Sequence, residues 1–269
     1  TGRNRDFRGM DITIQATTGV MSITGDADDP PMKSGPALAD FLGGVHLFGA
    51  ISAALVRQAR AGEGTVIDVS MQDCVFPALS TALGAYFQAG EQLPRAGNRH
   101  AGRSAAPYNV YRASDGHVAM ICIREGHWRG LITAMDQPEL KDRPEFADRA
   151  ARCAHIDLLD QTIESWTSTL PKAEVVERTQ REGVICAPVL TLEEVVNDPH
   201  LHERGTLHWY EHPKLGRIVL ASSPLRFDDT DLPEVGPVPD VGAHNEQVYG
   251  EFLGLSAGEL DTLRRERVI

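Results

Sequence analysis

The stretch Asp40–Ser70, DFLGGVHLFGAISAALVRQARAGEGTVIDVS, sets the fold class. From Asp40 to about Arg60 the residues Phe41, Leu42, Val45, Leu47, Phe48, Ile51, Ala54 and Leu55 cover more than one helical stripe. Charge returns only at Arg57 and Arg60, so the pattern predicts a mostly buried helix. Gly62 and Gly64 stop it, and Thr65 to Ser70, rich in β-branched residues, reads as a strand. A helix followed by a short turn and a strand is an α/β pattern. On the upstream side Lys33, Ser34, Gly35 and Pro36 lead into the helix and put Asp40 at its N-cap, facing backbone N–H groups and the positive end of the dipole. Gly43 and Gly44, one turn on, clear side chains from the same face. Capping alone explains such an aspartate. A seat for a nucleophile is the other reading, and the local pattern leaves both open.

Downstream, Asp73 to Gln88 reads as a second apolar helix, followed by a turn-rich basic stretch: Pro94, Arg95, Gly97, Asn98, Arg99, His100, Gly102, Arg103. Asn109 to Arg112 and His117 to Ile123 are expected strands joined by a turn at Ser114, Asp115 and Gly116. Helices are expected at about 126–136, 156–170 and 172–183, a strand within Gly183 to Leu190, and a short helix from Leu192 to Asn197 that stops before Pro199. A hairpin of Thr206 to Glu211 and Arg217 to Ala221, an extended Pro/Asp-rich linker at 228–240, and helices at Glu246 to Leu253 and Ala257 to Arg267 complete the reading. The resulting division has a part bearing the Asp40 helix (1–75), a linker helix and loop (76–99), a small domain (100–200) and a last segment (201–269).

Composition narrows the function. The 269 residues are 42% hydrophobic, enough for a substantial core, and the formal charge of −12 repels nucleic acid and anionic membrane surfaces. Cys74, Cys122, Cys153 and Cys186 are widely spaced without a CxxC, which suggests neither a zinc knuckle nor a disulfide framework and fits a reducing, cytoplasmic setting. No run is read as long enough for an apolar membrane span, and the opening residues read like the middle of a domain. No histidine and carboxylate grouping has metal-site spacing, so no metal is expected. His46 reads as a hydrogen-bonded core or interface residue, and Trp128 and Trp166 as packing residues of the small domain.

Many separated motifs in one order then carry a resemblance. They are Arg8-Gly9-Met10-Asp11, Gln15-Ala16, Thr24-Gly25, Ala39-Asp40, Gly62 to Gln72, Gly97-Asn98 with Ala106-Pro107-Tyr108, Ser114-Asp115-Gly116, Ala187-Pro188-Val189, His212-Pro213 and Gly242-Ala243-His244-Asn245. Together they closely resemble the class III CoA-transferases, the family of formyl-CoA transferase, carnitine CoA-transferase and α-methylacyl-CoA racemase. The resemblance implies a Rossmann-like large domain built from both ends of the chain, a smaller α+β domain, and two subunits interlocked like linked rings. Family members carry a further N-terminal segment that is not in this sequence, so a homodimer or a complex with a chain supplying that segment is expected.

The resemblance makes Asp40 the catalytic residue, a carboxylate that relays CoA from an acyl-CoA donor to a carboxylic acid acceptor through covalent intermediates. CoA thioester is then a substrate, and no bound redox cofactor is expected. The segment Arg8, Gly9, Met10 and Asp11 matches the family's CoA contacts, with Arg8 a partner for phosphate. Gly97, Asn98, Arg99 and Arg103 are substrate-loop candidates, in the region where formyl-CoA transferase carries a glycine-rich loop. The family's racemases place a histidine where this chain has Met10, and a thioether cannot shuttle a proton. Two alternatives stay in view: an acyl-CoA racemase or epimerase, and a non-catalytic subunit of a CoA-transferase complex.

Overall fold

The computed structural model describes residues 2–228, 236 and 238–269, without the side chain of Arg103. It is a mixed α/β protein with two compact units, Thr1–Val189 and Leu190–Ile269. In the first, α1 (Asp11–Thr17), α2 (Val20–Ile23), α3 (Leu38–Ala61), α4 (Met71–Val75), a 3-10 turn (Phe76–Leu79) and α5 (Ser80–Ala89) form a helical cluster. Its core is Val20, Ala39, Val75 and Leu79, with Leu38, Leu42 and Met71 packed at the edge.

Several expectations for this cluster are corrected. Ala37, not Asp40, occupies the N-cap of α3, because Leu38 and Ala39 are good helix formers that the core draws in. Asp40 therefore lies in the first turn and is exposed. The helix is also not mostly buried: only Ala39 and Gly43 are, while Phe41 is 74% exposed and Val45, Phe48 and Leu55 are exposed with it. α1 and α4 cover one side of α3, and the described chain offers little to the other. By length and composition alone this helix would also suffice to cross a membrane, contrary to the expectation that no run is long enough. Finally, Thr65 to Ser70 belongs to no sheet; Val66 is 95% exposed. β-branched composition favours extended backbone, but a strand also needs a hydrogen-bonded strand beside it, and among the described residues no strand pairs with this segment. The expected second helix is broken into α4, the 3-10 turn and α5 where Pro77 interrupts it.

The rest of the first unit follows the expected order more closely. β1 (Tyr108–Ala113), β2 (Gly116–Ile121) and β3 (Ile185–Pro188) form an antiparallel sheet in the order β1-β2-β3, with Tyr111 opposite Val118 and Met120 opposite Cys186. α6 (Glu125–Met135), α7 (Arg149–Ala154), α8 (Ile156–Thr167) and α9 (Lys172–Arg181) accompany it. Trp128 and Trp166 join the core with Tyr111, Leu131, Phe146, Leu159 and Ile163. Arg152, 1% exposed, donates to the carbonyls of Ala106 and Phe146 and pairs with both carboxylate oxygens of Glu125. Gly130 is required here: a side chain would collide with the Glu182 carbonyl oxygen.

The second unit holds α10 (Leu192–Val196), α11 (Pro199–Glu203), the hairpin β4 (Leu207–His212) and β5 (Gly216–Ala221), a π-helical segment (Glu246–Phe252) and α12 (Ala257–Arg265). Pro199 starts α11 instead of merely ending α10. Its missing N–H costs nothing at the first helical position, and the Asp198 side chain accepts from the His200 N–H at 2.9 Å. Most of the expected linker at 228–240 lies outside the described residues.

Candidate active site

The start of α3 is braced from α1. Asp11 Oδ1 accepts the Ala39 N–H at 2.9 Å, and its Oδ2 accepts from Gln15 Nε2 at 2.8 Å. Gln15 is fully buried, and its Oε1 accepts from the Ser34 N–H at 2.9 Å and the Ser34 hydroxyl at 3.1 Å. One carboxylate thus performs the cap expected of Asp40, and one amide ties the 33–36 approach to the same point. Lys33 folds back, donating through Nζ to the Ser34 and Gly35 carbonyls at 2.9 and 3.1 Å. Asp40 follows the braced Ala39 directly, with its side chain free for solvent or substrate.

The N–H groups around Asp40 are largely used. Leu38 donates to Pro36, Ala39 to Asp11, and Phe41 to Ala37. Of the two glycines one turn on, Gly43 is a packing residue, since a Cβ there would sit 3.2 Å from Met71 Cγ; Gly44 opens onto empty space. Close approach of a ligand is therefore available over Gly44. Arg8, Gly9 and Met10 are exposed just before α1, and Met10 occupies its N-cap, donating its N–H to Thr13 Oγ1 at 2.8 Å. His46 is exposed, with Nδ1 2.7 Å from the Leu42 carbonyl oxygen. Asp11 and Asp40 come together at the start of α3.

The basic loop is bonded to partners other than Asp40. Gly97, at φ +60°, donates its N–H to the Gly25 carbonyl, and a side chain there would collide with Asp26 Oδ1. Asn98 is exposed. The Arg99 guanidinium turns onto α8, with Asp157 and Asp160 each 2.7 Å away. Burial works against its charge, but the bonds to these two carboxylates outweigh that and raise its pKa above the ordinary arginine value. Arg103 ends a short 3-10 turn. Among the described residues no hydrogen bond or ion pair links this loop to Asp40.

One feature escaped the sequence reading. A cleft of about 250 Å³ lies between α2, α5 and residues 92–102, walled by Ile23, Phe76, Leu79, Leu83, Tyr86 and Leu93. The signal was present in the three- and four-residue spacing of Phe76, Leu79, Leu83 and Tyr86. The cysteines offer no competing nucleophile. All four are free, and burial, first among the causes, raises each thiol, Cys122 to about 12.

Known proteins agree with this architecture. The model of CoA-transferase family III matches residues 1–245. A formyl-CoA:oxalate CoA-transferase of Streptomyces coelicolor is 32% identical, over 98% of this chain and 67% of its own length. A succinyl-CoA:mesaconate CoA-transferase of Haloarcula hispanica is 32% identical over 93% of this chain and 62% of its own. The solved structure of a CAIB/BAIF family protein from Brucella suis superposes with a TM-score of 0.78 at 30% identity, covering 93% of this chain and 65% of that one. The chain thus spans about two thirds of the length of these relatives. Sequence, fold and a matched span that includes both Asp11 and Asp40 lead to one conclusion: the chain belongs to CoA-transferase family III.

Proposed function

We propose that this chain carries the nucleophile of a CoA-transferase that moves CoA from an acyl-CoA donor to a carboxylic acid acceptor. The observation that carries the reading is Asp40 itself: an exposed carboxylate on a helix start fixed by Asp11, in a chain whose relatives are named as CoA-transferases. A carboxylate oxygen of Asp40 attacks the thioester carbonyl; the C–S bond breaks, leaving a mixed anhydride and CoA thiolate. The thiolate then attacks the aspartyl carbonyl and expels the donor acid, giving an aspartyl-CoA thioester. The acceptor carboxylate displaces the thiolate to form a second anhydride. Attack of the thiolate on the acceptor's carbonyl yields the new acyl-CoA and restores Asp40. Since the N–H groups of Leu38, Ala39 and Phe41 are engaged, oxyanion stabilisation falls to other donors, the Asp40 N–H among them.

On this reading Arg8, Gly9, Met10 and Asp11 border the CoA path, and 97–103 borders the acyl groups. Residues 1–75 and 201–269 contribute to a Rossmann-like large domain, 100–200 form the small domain, and the active protein is an interlocked cytoplasmic dimer. The test is CoA exchange between formyl-CoA or succinyl-CoA and a panel of mono- and dicarboxylic acids. Asp40→Asn should lower exchange by on the order of 10³ or more. Unchanged exchange would favour the non-catalytic subunit. Solvent deuterium entering the substrate α-carbon would favour the racemase, and Met10 predicts none.

A further inference from the structure

The loop from Gln92 to Gly102 forms one wall of the apolar cleft, and it is tied down on two sides. Toward residues 22–29, Arg95 Nε donates to the Asp26 carbonyl at 2.9 Å and its Nη2 to the Ala27 and Asp29 carbonyls. Gly97 N–H adds its bond to Gly25, and Gln92 Nε2 reaches the Ser22 carbonyl at 3.4 Å. On the other side, Arg99 makes an ion pair with α8. Its Nε lies 2.8 Å and its Nη2 2.7 Å from Asp160 Oδ2, and Nη2 also meets Asp157 Oδ1.

Asp160 is 8% exposed and accepts from three residues at once: Arg99 of the loop, Asn109 Nδ2 at 2.9 Å and Tyr111 hydroxyl at 2.7 Å, the last two on β1. A carboxylate buried to that extent needs a cation, and Arg99 is the one bonded to it among the described residues. The two-point contact also fixes direction, which a single ammonium would not.

We propose that Arg99 and Asp160 are positioning residues: the pair is a strut that holds residues 95–102 as a fixed wall of the cleft, so that this loop does not swing as a lid. The strut itself needs no catalytic reading. Its kinetic consequence rests on the proposed CoA transfer, where a fixed wall sets how the acyl group is seated and not the chemistry at Asp40.

The test is hydrogen exchange on the purified protein without substrate, comparing it with Arg99→Gln and Arg99→Lys. Arg99→Gln should speed exchange of amides 96–102 at least tenfold while amides of β1 and β2 keep their rates, and Arg99→Lys should fall between. If Arg99→Gln does not fold, the lysine variant alone decides, since it keeps the charge and loses the fork. Loop exchange equal to the parent's, or equal acceleration of loop and sheet, would overturn the strut. In the exchange assay Arg99→Lys should raise the acid's KM several-fold with kcat within about threefold, whereas Asp40→Asn loses kcat. A parent protein without transfer activity would sink the functional reading and leave the exchange result standing on its own.

Discussion

Asp11 serves two donors at once, the Ala39 N–H and the Gln15 amide, and Gln15 passes the constraint to Ser34. Asp11→Ala should therefore cost about 1–2 kcal/mol, the usual loss for a cap, with a further penalty for the buried Gln15 left short of a partner. Asp11→Asn, which retains an acceptor, should cost less; denaturant midpoints of the two variants decide it. Asp40→Asn should leave the midpoint within about 0.5 kcal/mol of the parent, because the side chain is exposed. At this scale the sequence reading gave the cap of α3 to Asp40, and the structure gives that duty to Asp11. Asp40 stood where a cap belongs by local spacing, whereas the real cap comes from 28 positions away, across a tertiary contact that spacing cannot encode.

Helix α3 and the segment after it show where local pattern stops being informative. The apolar run of α3 was legible as a helix, but its burial depends on neighbours that the described chain provides on one side only. An exposed apolar face of this size predicts association. Phe48→Ser should leave the fold's stability within about 0.5 kcal/mol and shift the protein toward smaller species in light scattering. An unchanged mass with lost stability would mean that the residue packs within its own chain. Thr65 to Ser70 has strand composition but joins no sheet among the described residues, so composition named the conformation and not the pairing. The hairpins were legible because turn and strands lie together: Ser114-Asp115-Gly116 and His212 to Gly216 close them within the sequence itself.

For the whole molecule, the α+β core carries a pH dependence of definite sign. Burial first, then the charge of Asp160, raises the Tyr111 phenol well above its ordinary 10.0, and burial raises Cys122 from 9.0 to about 12. Folded, both groups hold protons that the unfolded chain releases at lower pH. Their contribution is complete below about pH 8 and drains away as pH climbs past 9 and 10 toward the folded values. Urea midpoints should thus fall between pH 8 and pH 11, and the combined Tyr111→Phe and Cys122→Ala variant should show a shallower decline. A decline of equal slope would place the sensitive groups elsewhere.

The central claim is that Asp40 becomes covalently acylated during turnover. Hydroxylamine added to the protein with an acyl-CoA should convert its aspartyl thioester to a hydroxamate, detected by peptide mass spectrometry at Asp40 and nowhere else. Continuing CoA exchange with an unmodified Asp40 would contradict the account.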